Sequence, residues 1–178
     1  MSLNHDNSPV SPVDLFEPPQ NAPIKTSKWG DDMPTKDSRT LRIYFQNING
    51  LPTNDDWAEW HHIVTYMKAL EVDICGFVEP NINWTNQLTS TVKYKLSTMI
   101  RTSTLQTASC EEPTKYRYQR GGVMMATMGK MTGRIGATGK DIMGLGRWVY
   151  TKYFGRQGRT LIVVTAYRVA PNHMTIGI

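Results

Sequence analysis

The sequence predicts an α/β fold organised around a mixed β-sheet. Residues 41 to 80 carry a strand, helix, strand pattern, and glycine-punctuated β-branched runs follow from residue 121 to residue 168. A crossover through a helix makes its two strands parallel and brings both C-terminal ends to one edge of the sheet. The later strands follow one another through short turns and add antiparallel partners, so the sheet is mixed.

The first strand lies in Leu41-Arg-Ile-Tyr-Phe-Gln-Asn-Ile-Asn-Gly-Leu51, spans Leu41 to Gln46, and reads as buried until Asn47, Asn49 and Gly50 end it. Asn54, Asp55 and Asp56 then supply helix-start residues, and Asp56 with Glu59 three positions on resembles a capping box. Trp57, Trp60, Val64, Met67 and Leu70 recur at spacings of three and four, which places them on one core-facing helical stripe. His61 and His62 ride the same helix without a partner at ligand spacing and read as ordinary histidines. The second strand, Asp73 to Val78, is a short buried run that ends in Glu79 and Pro80, with Cys75 as a small core residue.

Residues 81 to 103 fit a helix through Leu88, Val92, Leu96 and Met99, although their serines and threonines weaken it. Thr104 to Ser109 reads as a strand, Glu111 to Gln119 as an exposed loop, and Gly121 to Met128 as a strand. Gly129 to Lys140 reads as a hairpin or flexible loop. Its Gly139-Lys140 invites a phosphate-loop reading, but Arg134 stands where that motif needs glycine and Asp141 where it needs Ser or Thr. Gly146 to Phe154 and Leu161 to Arg168 complete the strands, the second of them buried, with Gly155-Arg-Gln-Gly158 as the turn between.

Residues 1 to 40 hold six of the ten prolines among Ser, Asn and Asp and are expected to be a disordered tail; residues 41–178 form the domain. No apolar run is long enough to span a membrane, and the N-terminus lacks a signal-peptide pattern, so a cytoplasmic or nuclear protein is expected. Two cysteines make neither a disulfide framework nor a zinc site. The net charge of +5 divides unevenly: −6 up to Val92 and +11 from Lys93 onward. Clustered cations release counterions from a phosphate backbone, so the basic half suits a nucleic-acid partner, whereas the plainer reading is a solvated basic surface.

Asn47, Glu79 and Tyr167 each follow a strand expected to be buried, and they form the candidate site. A carboxylate and an amide oxygen suit Mg²⁺, a hard cation that prefers oxygen ligands, and Mn²⁺ can take its place. A tyrosine hydroxyl beside them can hydrogen-bond a phosphate oxygen as charge develops. The plainer alternative is three strands that end in polar residues by chance. Neither Ser/His/Asp nor Cys/His nucleophile arrangements find support.

Gln46-Asn-Ile-Asn-Gly-Leu51, Phe77-Val-Glu79, Gly121-Gly-Val123, Gly146-Arg-Trp148 and Val164-Thr-Ala-Tyr167, in this order, resemble the endonuclease/exonuclease/phosphatase superfamily. This is the DNase I-like fold of apurinic endonucleases and of retrotransposon-type endonucleases, the latter being the nearest in flavour. The resemblance covers about residues 40 to 172 and implies the N-terminal part of a DNase I-like α/β sandwich. It implies Mg²⁺-dependent phosphodiester hydrolysis, with DNA as the expected substrate. Glu79 would then be the main metal ligand, Asn47 would orient the scissile phosphate or the attacking water, and Tyr167 would hold the phosphate. Arg147, Arg168 and Asn172 would face the nucleic-acid backbone.

The family's Gly-Asp-x-Asn and Ser-Asp-His motifs are absent from the sequence, and His173 has no acid beside it. The chain therefore resembles a truncated form with weak or no turnover, which would self-associate through an uncovered sheet face. Two other readings stand beside it: a non-catalytic nucleic-acid-binding module, or a mobile-element remnant. A phosphatase acting on lipid or inositol phosphates is a further possibility within the superfamily.

Overall fold

The computed structural model describes residues 34–51, 57–84, 86–111 and 116–168; the capping-box residue Asp56 and the candidate Asn172 lie outside them. By its internal contacts the chain divides into Met1–Thr35 and Lys36–Ile178, and the expected tail lies outside the described residues up to position 33.

The second unit runs β1 (Ile43–Asn47), α1 (Ala58–Ala69), β2 (Ile74–Val78), α2 (Asn86–Met99), β3 (Ser103–Ala108), β4 (Val123–Met128), a 3₁₀ helix (Gly129–Arg134), β5 (Ile135–Lys140), β6 (Trp148–Phe154) and β7 (Thr160–Ala166). One sheet has the order β1-β2-β4-β3. Its β1 and β2 are parallel and its other pairs antiparallel. The other sheet, β5-β6-β7, is antiparallel throughout. The fold is α/β with a mixed sheet, as the sequence predicts.

Alternation along β2 and β4 builds two cores. Cys75, Phe77, Met124, Ala126 and Met128 point toward the helices, where they meet Trp60, Val64, Met67, Val92 and Leu96. Ile74, Val78, Val123 and Met125 point the other way and meet Val149 and Tyr153 of the second sheet. The structure is thus helices on sheet on sheet. Trp57, Trp60, Val64, Met67 and Leu70 are all buried, as their spacing predicts. The Trp60 ring meets Phe77 edge-on at 6.4 Å, an arrangement favoured by the opposed charges of ring edge and face. His61 and His62 are exposed.

Helix α1 starts at Trp57, which caps it in a left-handed conformation without a side-chain hydrogen bond. It ends through Glu71, also left-handed, whose N–H donates to the Lys68 carbonyl while the Val72 N–H reaches back to Met67. This pair of bonds satisfies carbonyls that a helix end leaves open. Asp73 then accepts from the Arg42 N–H at 2.8 Å and pairs with Lys36 at 2.7 Å, which pins the start of β1 to the start of β2.

Two expectations need correction. Strands β1 and β7 are largely exposed, because each lies at the outer edge of its sheet with a partner on one side only. The segment Gly129 to Lys140 is ordered as the 3₁₀ helix and β5. The helix suggested for residues 81 to 103 does form, over residues 86 to 99 and despite its threonines, since Val92 and Leu96 bury almost completely against the sheet.

Where the second sheet crosses the first, Gly76 makes room. A Cβ there would collide with the Thr165 side chain and approach the Phe45 ring to 3.2 Å. Gly76 precedes Glu79 by three residues, and Thr165 precedes Tyr167 by two. This close crossing sets the reach between the candidate carboxylate and the candidate phenol.

Candidate active site at the strand ends

At one edge of the molecule β1 and β2 end, β4 begins, and β6 begins beside the end of β7. The polar residues that follow each strand are stitched together through their backbones. The Ile48 N–H donates to the Val78 carbonyl at 3.1 Å, Gly50 to Glu79 at 2.7 Å, and Leu51 to Pro80 at 2.8 Å. Glu79 in turn donates to Gly122 at 3.0 Å, and Asn81 to Gly121 at 3.0 Å. The pairing of β1 with β2 thus continues past their ends into the two site loops.

Asn49, Glu79 and Asn81 all hold positive φ, at 44°, 56° and 56°. Asparagine tolerates this left-handed region, but glutamate does so only at a cost of about 1 kcal/mol or more. Both backbone groups of Glu79 are bonded, to Gly50 and to Gly122, so the surrounding loops impose that conformation. Strain held in this way at a carboxylate is a feature of functional sites.

Asn47 closes a tight turn by accepting the Asn49 N–H on its Oδ1 at 2.9 Å, an oxygen that retains a second lone pair. Tyr167 enters from the second sheet, and its N–H donates to the Arg147 carbonyl at 2.8 Å. Its phenol pKa is raised above the ordinary value, first by burial, then by the charge of Glu79 and a hydrogen bond to that carboxylate. Arg120 and Arg147 pull it partly back, which places both guanidinium groups within electrostatic range of the phenol. Arg147 is exposed, and its N–H is anchored on Asp141 Oδ2 at 3.0 Å. Arg168 is exposed next to Tyr167.

The structure therefore brings Asn47, Glu79, Tyr167 and Arg147 to one edge, with Arg168 beside them. The sequence reading overlooked two residues there. Asn81 accepts the Gly121 N–H on Oδ1 at 2.7 Å and so ties the Glu79 loop to the start of β4. Arg120 adds a cation. The signal for Asn81 was its place two residues after Glu79, in a loop whose left-handed turn asparagine suits.

Among the described residues no group of three or more His, Cys, Asp or Glu side chains is placed to hold a metal. The oxygen donors at this edge are the Glu79 carboxylate and neighbouring amides. Such a set matches Mg²⁺, which keeps several waters and needs only one or two carboxylates from protein. It does not match zinc or a softer ion.

No protein-family model matches the sequence, and no curated protein matches it. Among the solved structures similar to it are three proteins of known fold. The first is an endonuclease/exonuclease/phosphatase family protein from Leptotrichia buccalis, with TM-score 0.53 and 13% identity, covering 76% of this chain and 58% of that one. The second is the AP endonuclease LMAP from Leishmania major, with TM-score 0.49 and 12% identity, covering 71% of this chain and 40% of that one. The third is an AP endonuclease from Archaeoglobus fulgidus, with TM-score 0.46 and 14% identity, covering 72% and 41%. The first likeness shows the fold alone, a DNase I-like α/β fold shared with that protein. The chain spans less than two thirds of each of these proteins.

Proposed function

We propose that this chain derives from a Mg²⁺-dependent phosphodiester hydrolase acting on nucleic acid, DNA in particular, of the kind carried by retroelements. One observation carries the reading: Glu79, held in a strained backbone at the end of β2, meets the Tyr167 hydroxyl from the opposite sheet. Glu79 would hold the cation through its carboxylate, and Asn47 would offer the free lone pair of Oδ1. A bound Mg²⁺ or Mn²⁺ supplies positive charge against the negative charge that develops on a phosphodiester under attack. Tyr167, a phenol whose pKa is raised by burial and by the nearby Glu79 charge, would donate a hydrogen bond to a phosphate oxygen when substrate enters. Arg120 and Arg147 lie within electrostatic range of that phenol and Arg168 adjoins it in sequence, and guanidinium suits phosphate through its forked geometry.

Low turnover belongs to this reading. The sequence has no Gly-Asp-x-Asn or Ser-Asp-His motif, and the described histidines, His61 and His62, stand exposed on α1. Slow nicking of supercoiled plasmid in Mg²⁺ is the expected result, at most, and it should disappear with chelator or with Glu79→Gln. Cleavage that survives both changes would remove the metal-site reading. Mg²⁺-independent DNA binding, with no Glu79-dependent metal binding, would leave a binding module in its place.

The uncovered sheet face expected from the sequence is not found in the first sheet, whose two faces pack on the helices and on the second sheet, so self-association would instead use the exposed strands. Ile43 and Phe45 on β1 are 51% and 57% exposed, and Ile162 and Val164 on β7 are 56% and 54% exposed. Apolar edge strands with open backbone groups pair with other chains. Sedimentation should therefore show mass rising with concentration, and Phe45→Lys with Ile162→Lys should return the chain to monomer; a native chain that stays monomeric at high concentration counts against it.

A further inference from the structure

The first sheet's opposite edge, where β1, β2 and β3 begin and β4 ends, carries a second concavity with a volume of about 970 Å³. Its cations come from separate parts of the chain. Lys68 is in the last turn of α1, Arg101 lies between α2 and β3, Lys130 and Arg134 are on the 3₁₀ helix, and Arg156 is in the β6–β7 turn. All five are exposed.

The acids that line the same concavity already have partners. Asp73 pairs with Lys36 at 2.7 Å, Asp37 with Arg39 at 3.3 Å, and Glu71 with Arg42 at 3.8 Å. The acids of the lining are thus already paired, and five cations are left without an ion-pair partner among the described residues. Five like charges converging on one hollow repel one another, a cost that an arriving polyanion removes.

We infer that this concavity is a second nucleic-acid contact, one that grips the phosphate backbone on the side of the fold away from Glu79. The identity of the polyanion rests on the proposed nuclease lineage; the concavity and its charge do not. Three of the five cations are arginines, whose planar forks take phosphate oxygens two at a time. The hollow is far larger than one phosphate group, and its charges rise from four segments, which suits a chain of phosphates rather than a single anion. It holds no histidine or cysteine, so its role is attachment. Strands of five or six residues separate the two edges by roughly 17–20 Å, so a nucleic acid engaged at both must bend or present two segments.

The test is fluorescence anisotropy with a labelled duplex longer than two helical turns, titrated at several salt concentrations. Arg101→Ala combined with Lys130→Ala removes two cations at exposed positions, where substitutions leave stability almost unchanged. Affinity at low salt should fall about tenfold or more, and the slope of log affinity against log salt should flatten by about 2. Lys68→Ala with Arg156→Ala should behave alike, which guards against one variant misfolding. Glu79→Gln should leave the salt slope as it is, so loss of the metal-site reading and loss of this one are separable. Native affinity and slope in both double variants would overturn the inference. So would tighter binding to phosphatidylserine vesicles than to DNA, weakened by the same substitutions, because the surface would then belong to a membrane.

Discussion

If Glu79 holds the cation as proposed, replacing it with glutamine should lower the chain's affinity for Mn²⁺, used as a spectroscopic stand-in for Mg²⁺, by about a hundredfold, or ~2.7 kcal/mol. The size follows from the donor set. Hydrogen-bond partners of metal ligands are alone worth about ten- to a hundredfold, and Glu79 is the carboxylate among the donors identified at this edge. Glutamine keeps the shape, the positive φ and both backbone bonds of Glu79, so the fold should be unaffected. The same substitution should move Tyr167. Burial is the largest cause of its raised pKa, and the charge and hydrogen bond of Glu79 come next. A negative neighbour disfavours phenolate, so removing the charge lowers the Tyr167 pKa. Cation binding to the native chain should lower it as well, by neutralising the same carboxylate. By linkage, metal affinity then rises as pH climbs through the phenol's titration. The phenolate absorbance isolates this residue when Tyr167→Phe is subtracted from the signal of the chain's eight tyrosines. Metal binding unchanged by Glu79→Gln, with Tyr167 titrating as before, would mean that the carboxylate serves structure alone.

Sequence reading succeeded where the relevant physics is local. The tryptophan-rich stripe of α1 follows from helical period, and the burial of β2 from five successive apolar or small residues. The position of Asn47 and Glu79 follows from the parallel crossover, since β1 and β2 end at one level with Asn47 opposite Val78. It failed where a distant partner decides. Leu161-Ile-Val-Val164 is as apolar as β2 and Leu41-Arg-Ile-Tyr-Phe45 is rich in strand-forming residues, yet both lie at sheet edges, and composition does not reveal which strand lacks a neighbour. Glycines in residues 129–140 read as a loop because their role is cross-strand. Without side chains, Gly136 and Gly139 leave space that the rings of Phe154 and Tyr150 cover, and β5 pairs with β6. Arg120 carries no motif and reaches the site only because Gly121 and Gly122 turn the chain beneath Tyr167.

Gly146→Ala should destabilise the protein by about 3 kcal/mol or more, through two costs that a second glycine separates. Gly146 has φ of 68°, a conformation that costs an L-residue roughly 1 kcal/mol or more. An added Cβ would also stand 2.5 Å from the backbone nitrogen of Cys110. That neighbour cannot rotate away as a side chain could. Leu145 bridges to Cys110, and the Glu111 N–H bonds the Gly144 carbonyl at 2.8 Å, so the two segments would have to part. Overpacking of this kind adds roughly 1–3 kcal/mol. Gly158 has nearly the same φ, 72°, but an added Cβ there would meet nothing within 4 Å. Gly158→Ala should therefore cost about 1 kcal/mol, the conformational part alone. Urea unfolding of both variants reads the difference between them as the cost of close approach. Its consequence extends to the site, because Arg147 follows directly and its carbonyl fixes the Tyr167 backbone. A displaced Gly146 should thus weaken the Tyr167 contact with Glu79 even in molecules that remain folded. Equal losses in the two variants would show that the contact with the residue 109–110 backbone relaxes freely, leaving the alignment of Tyr167 to the crossing at Gly76 and Thr165.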